Sequence, residues 1–232
     1  VLFFGIFIST MLILFEGARG KWIIMLPSSL GLISMTFGVW NYWNDESMAG
    51  PLPKYMSIIV TLIYIGGYVS LRSEGVNEGL SDFKPGLKVK DKIAMISLIL
   101  LVLAGLFYSI RMIFTPNDVI AEGFPANYEG SLSTAAGLGT PLPTQVSVTG
   151  SLILVYTLWS ALVLMDGASG KWAVLHPSAF AFITATASLY IALIAGTARN
   201  ASEANQMDAL TGAVVMLLVL ISYFRLKGEG ME

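Results

Sequence analysis

Seven apolar stretches punctuate this chain: Val1–Phe15, Trp22–Trp43, Tyr55–Leu71, Ile93–Phe114, Val146–Met165, Trp172–Ala195 and Met207–Phe224. Each is nearly free of ionisable residues, and each ends in charge, Gly, Pro or Asn. A helix needs ~20 apolar residues to cross ~30 Å of hydrocarbon, and backbone in that medium must satisfy its own N–H and C=O groups. Runs of this kind therefore fold as membrane-spanning helices. Composition agrees, since 55% of the 232 residues are hydrophobic and 12% are charged, against about 25% charged in a soluble domain. The mean hydropathy of +0.74 leaves too few polar side chains to cover a water-facing surface. The expected fold class is an all-α integral membrane protein with seven transmembrane helices. The first run is short, and it is read as a genuine helix whose beginning precedes Val1. It lacks the basic n-region and A-x-A-like site of a signal peptide.

The strongest internal signal is a repeat at an offset of 150 residues. Glu16-Gly17-Ala18-Arg19-Gly20-Lys21-Trp22 recurs as Asp166-Gly167-Ala168-Ser169-Gly170-Lys171-Trp172, and Pro27-Ser28 recurs as Pro177-Ser178. Apolar helices share Leu and Ile by chance, but a gapless match of Gly, Lys, Trp and Pro marks duplication. The expected organisation is a three-helix repeat over 1–72 and a second over 146–232. Between them lie a cytoplasmic loop, a linker helix at 93–114 and an extracytoplasmic loop at 115–145. An odd linker helix keeps the two units parallel, giving 3+1+3 topology. With seven spans, Arg19, Lys21, Arg72, Lys84, Lys88, Lys90, Lys92, Lys171, Arg225 and Lys227 share one side, while Lys54, Arg111 and Arg199 share the other. The positive-inside rule then puts the N-terminus outside and the C-terminus in the cytoplasm.

Composition also excludes functions. A net charge of −2 with no basic run argues against a nucleic-acid partner. There is no cysteine and one histidine, His176, which removes thiolate sites and bis-histidine haem ligation. No helix interior carries Asp, Glu or Lys, against an ion pump with a charged midplane residue. No Ser-His-Asp spacing, paired carboxylates on one helix face or H-E-x-x-H occurs, so the chain is not expected to be an enzyme. No metal or cofactor is expected either, bound lipid aside.

The candidate residues fall into three groups. Lys21, Trp22, Lys171 and Trp172 fit anchors at the lipid headgroup level, with Glu16 and Asp166 pairing the lysines or capping the helices that follow. Pro27 and Pro177 stand past the first turn of their helices, where proline frees a carbonyl. Ser28, Ser29 and Ser178 are near enough to satisfy it, and the paired prolines suit either hinges or plain packing. Ser34, Thr36, Asn41, His176, Thr184 and Thr186 are the polar residues that would line a path for a neutral solute, although Ser and Thr more commonly mediate helix packing.

The 3+1+3 arrangement resembles SWEET-type sugar carriers in topology, without their proline–glutamine signature. That resemblance implies transport and names no substrate. The expected function is a carrier or facilitator for a small uncharged solute. The alternative is a non-catalytic subunit of a larger membrane assembly. Expected partners are membrane lipids, with other membrane subunits or a second copy of the chain under the alternative.

Overall fold

The computed structural model describes residues 2–45, 49–123, 142–194 and 203–230. Among them every regular element is helical: α1 (Leu2–Glu16), α2 (Trp22–Tyr42), α3 (Leu52–Ser70), α4 (Lys92–Phe114), α5 (Pro116–Gly123), α6 (Leu142–Asp166), α7 (Trp172–Ile194) and α8 (Glu203–Leu226). Short 3-10 turns at Leu71–Glu74 and Lys227–Glu229 continue α3 and α8. Among the described residues, five segments are long and apolar enough to cross a membrane: Trp22–Tyr42, Leu52–Glu74, Lys92–Phe114, Leu142–Asp166 and Leu210–Glu229. At ~1.5 Å per residue each spans roughly 30 Å or more. Large apolar side chains such as Leu62, Ile63, Leu103, Ile191 and Phe224 point outward, as a lipid-facing surface requires. The chain is thus an all-helical membrane bundle.

The expected segment boundaries fall within a few residues of the helices. The largest departure from expectation is at 115–145, expected as a loop. Pro116, with φ preset for a first helical turn, opens α5, and Arg111 binds Glu122 across it at 2.7 Å. Residues 124–141, with Glu129, and the separate Arg199 lie outside the described residues, and Leu142–Gln145 already belong to α6.

The order of packing is not the order of sequence. Round the bundle, α3 packs on α2, α2 on α6, α6 on α4, α4 on α8, α8 on α7 and α7 on α1. The tight turns explain this. Gly17 and Gly20 have φ of 84° and 69°, and Gly167 and Gly170 have 84° and 67°, backbone that glycine alone adopts without strain. Each turn splays its two helices apart, so α2 finds its main partner in α6, and α7 packs on α1 as well as α8. Small residues permit both crossings. A Cβ on Gly31 would strike the Val155 side chain, and a Cβ on Gly5 would strike the Tyr156 hydroxyl and lie 3.0 Å from Ala181 Cβ.

One end of the bundle gathers both tight turns, the residues after α3, the start of α4 and the end of α8. Lys21 Nζ lies 5.7 Å from the Trp172 ring centre at this end. Gly20 N–H donates to the Gly75 carbonyl at 2.9 Å, and Gly170 N–H donates to the Gly230 carbonyl at 3.2 Å. Asp91 caps α4 by accepting from Ile93 and Ala94 N–H and pairs with Arg225 at 2.8 Å. The Glu229 carboxylate accepts from the N–H groups of Lys90 and Asp91. These bonds tie α8 to α4.

Candidate functional site

The splayed turn between α6 and α7 leaves space beside α4 and α8. A half-open cavity of about 280 Å³ fills it, with Leu2 of α1 contributing to the wall. Leu98, Leu101 and Gly105 line it from α4, and Thr157, Trp159, Ser160 and Val163 from α6. Ser178, Phe182 and Thr186 face it from α7, and Gly212, Val215, Val219 and Ser222 from α8. Among the described residues the lining holds no Asp, Glu, Lys, Arg or His. This is the low end of ligand-site volume, ~300–1,000 Å³, with the usual chemistry of mostly apolar walls and a few polar groups.

The polar groups divide into spent and unspent donors. Thr157, Ser160 and Ser178 donate to the carbonyls of Ile153, Tyr156 and Val174, four residues back in their own helices, at 2.8, 2.9 and 2.6 Å. Thr186 donates to the Gly212 carbonyl at 3.2 Å, and the Tyr156 hydroxyl donates to the Leu2 carbonyl. By contrast the Trp159 indole N–H and the Ser222 hydroxyl have no hydrogen-bond partner. Trp159 is 1% exposed and Ser222 2%. Both donor atoms are sealed from the cavity itself as well as unpaired, an exception to the usual pairing of buried donors.

Of the six residues expected along a solute path, Thr186 lines this cavity and the other five do not. Ser34 donates to the Gly31 carbonyl at 3.1 Å, and Thr184 to that of Phe180 at 2.7 Å, both within their helices. Thr36 reaches across to the Ser57 carbonyl and the Thr61 hydroxyl of α3. Asn41 is exposed and donates to the Phe37 carbonyl. His176 is exposed, its ring edge-on to Trp172 and Tyr223 at 6.0 and 5.4 Å. Ser and Thr at helical spacing reach their own backbone first, which is why a polar stripe in the sequence need not border a cavity.

The anchor residues gather round the two turns. Lys21 pairs with Glu16 at 2.8 Å, and Lys171 with Asp166 at 2.9 Å. Asp166 also binds Lys88 at 2.9 Å. Lys21, at the N-cap position of α2, makes no side-chain capping bond, so pairing is the role that Glu16 takes. Pro27 and Pro177 are buried inside continuous helices. Ser29 and Ser178 do not make the expected rescue of the freed carbonyls. Ser29 and Ser178 bond the carbonyls of Met25 and Val174, because a seryl hydroxyl reaches the carbonyl four residues before itself and not the one that proline frees.

Nothing in the sequence singles out Trp159 and Ser222. Tryptophan there looks like one more apolar residue, and no local pattern marks a donor as unpaired. A second motif is similarly hidden. Tyr68-x-x-Leu71-Arg72-x-Glu74-Gly75 recurs as Tyr223-x-x-Leu226-Lys227-x-Glu229-Gly230, at an offset of 155. In both, the cation lies over the tyrosine ring, Arg72 at 5.8 Å and Lys227 at 5.2 Å. The same offset relates Ser57 to Gly212, the acceptors for Thr36 and Thr186. Five extra residues before α8 hide this motif from a search at 150. No family model, curated protein or solved structure matches this chain, so its function has to be read from the chemistry of these side chains.

Proposed function

We propose that this chain is a membrane carrier or facilitator for a small, uncharged, largely apolar solute, and that the cavity among α4, α6, α7 and α8 is its binding site. The cavity carries the reading. It is half-open, mostly apolar and edged by a few polar groups, the usual make-up of a small-molecule site. The described lining residues are uncharged, which disfavours ions whose desolvation they could not offset.

The proposal includes the finer organisation expected from sequence. Residues 1–72 and 146–232 are parallel copies of one three-helix unit, α4 is the linker, and seven helices span the membrane. In their favour are the matched turn glycines, the matched bonds from Gly20 to Gly75 and from Gly170 to Gly230, and the matched bonds from Thr36 and Thr186. The turn-bearing end, with Arg19, Lys21, Lys88, Lys171 and Arg225, faces the cytoplasm under the positive-inside rule. In this reading the chain is not an enzyme and uses no cofactor.

Single cysteines test the site. The chain has none of its own, so Ser160→Cys and Ala185→Cys are each unique labels. A membrane-impermeant maleimide is expected to reach them from one face, and from the other once the protein cycles. Complete protection from both faces would remove the solute path.

The second reading, a non-catalytic subunit of a larger assembly, has one observation in its favour. α8 packs on both α7 and α4, whereas the main helix interface of α3 is with α2 alone. A second copy or another membrane subunit would cover that open flank. Gentle purification with native mass measurement separates the readings, since a lone chain counts against the assembly.

A further inference from the structure

We propose that the turn-bearing end of the bundle holds a phosphate-binding site, built between the two tight turns by Arg19, Lys21 and Lys171. A second cavity, of about 170 Å³ and more enclosed than the first, lies there. One side of it comes from Arg19, Gly20, Lys21 and the first turn of α2, the other from Gly170, Lys171 and the first turn of α7. Its walls are mostly polar, unlike those of the solute cavity, and Val174 is the one described residue that lines both.

Among the described residues, three cations and no carboxylate line this cavity. Carboxylates meet the same cations from outside that lining. Glu16 pairs with Lys21, Asp166 with Lys171 and Glu78 with Arg19. Asp166 is shared with Lys88, so four described cations draw on three carboxylates. The pairs also leave donors over. An ammonium carries three N–H bonds and a guanidinium five. Among the described residues, Lys21 donates to Glu16, Lys171 to Asp166 and the Ser169 carbonyl, and Arg19 to Glu78. The side chains of Arg19, Lys21 and Lys171 are 78%, 19% and 16% exposed, so each keeps surface for a further partner.

The two lysines are also placed against helix electrostatics. Lys21 is the N-cap residue of α2, and Lys171 immediately precedes α7. A cation there opposes the positive end of the helix dipole, and neither first turn carries an acid to offset it. A local rule broken in both copies calls for compensation elsewhere. Glu16 and Asp166 supply part of it, and an anion between the turns supplies the rest. Phosphate suits the gap because its several oxygens accept charge-assisted bonds from both turns at once. Lys21 Nζ already lies 5.7 Å from the ring centre of Trp172 on the opposite turn. A water needs about 10–15 Å³ of such space, so the cavity admits a phosphate group with water round it. Trp22 and Trp172 set this end at headgroup level, where the phosphate belongs to an anionic lipid or to a soluble phosphate compound.

The test uses the full chain in dodecyl maltoside, a detergent without phosphate. Equilibrium dialysis against radiolabelled inorganic phosphate in chloride buffer is expected to show one saturable site per chain. Lys21→Gln and Lys171→Gln should each weaken it about tenfold, the worth of one charge-assisted hydrogen bond. Lys21→Arg, which keeps the charge, should bind within a few-fold of the natural sequence. Lys84→Gln removes an exposed cation between α3 and α4 and should change nothing; an equal loss there means diffuse charge and overturns the site. Phosphatidic acid added to the micelles assigns the source. Labelled phosphate displaced, with one lipid per chain retained in native mass measurement, identifies a headgroup. Labelled phosphate that stays bound identifies a soluble compound, and either result supports the site. Neither saturable phosphate nor retained phosphatidic acid on the natural sequence overturns it, whatever the variants do, and leaves the solute cavity untouched.

Discussion

The stretch from α1 to Gly75 and the stretch from α6 to Gly230 are closed by the same devices and filled differently. Both have a glycine turn whose second N–H is held by the carbonyl of a left-handed glycine after the third helix. Both have a threonine on the second helix bonded to a carbonyl on the third. Yet Tyr64 and Thr10 meet between α1 and α3, while Val219 and Ser160 border the 280 Å³ cavity. The lesson is that backbone devices and cavity chemistry are separable. With like turns and crossings, one stretch has a tyrosine bonded across helices and the other a valine beside a cavity. α4 adds the rest, because it packs on α6 and α8 and so supplies the cavity with a fourth wall.

The comparison is broken most severely at the helix crossings that both halves share. Gly31→Ala puts a methyl group into Val155, and overpacking of this kind costs about 3 kcal/mol. Thermal unfolding in detergent should drop steeply, and adding Val155→Ala should restore most of the loss. An additive double variant would mean that the crossing is not the cause.

The next effect converts one half into the other. Tyr64→Val removes a half-buried ring and its bond to Thr10, at about 2 kcal/mol. It should open binding of a small apolar probe such as α-methylstyrene in the first half, read by equilibrium dialysis, if α1 and α3 hold their positions. A collapse without new binding would show that α4 is required for any cavity.

The turns differ less. Asp166 holds both Lys171 and Lys88, whereas Glu16 holds Lys21. Asp166→Ala should therefore destabilise more than Glu16→Ala, though each by under about 1 kcal/mol for pairs at a wet interface. Measured in high salt, the difference should shrink.

The smallest effect is a pH dependence at the α4–α8 latch, which has no partner in the first half's turn. The Asp91 carboxyl is held below the usual carboxylate range, chiefly by the Ala94 N–H and also by Arg225 and the Ile93 N–H. A depressed value in the folded chain means that the carboxylate stabilises it above the ordinary range near 4. That contribution fades as pH falls through the depressed value. Melting temperature in acid should thus fall less steeply in Asp91→Ala than in the natural sequence, and parallel curves would exclude the latch as a source.

Much of this architecture is legible in the amino-acid sequence. Helix positions follow from the apolar runs to within a few residues, because lipid leaves the backbone no other way to bond itself. Gly17, Gly20, Gly167 and Gly170 announce the turns, since few other residues tolerate that backbone. What the sequence conceals depends on partners distant in the chain. Ser34, Thr36 and Thr184 look like a solute path until their acceptors are seen to be backbone carbonyls. Trp159 looks like core until its N–H is seen to face no acceptor. The motif ending in Gly75 and Gly230 becomes visible once its carbonyls are traced to the turns.

The chain's own pattern of apolarity and glycine determined the solvent, the helices and the turns, all of them local consequences of backbone hydrogen bonding and conformational freedom. Tertiary structure alone decided that α2 lies on α6, that α4 walls the second half, and that two donors there are left unspent. Those outcomes depend on shape at helix crossings and on which donor meets which acceptor, quantities defined only when residues far apart in sequence are brought together.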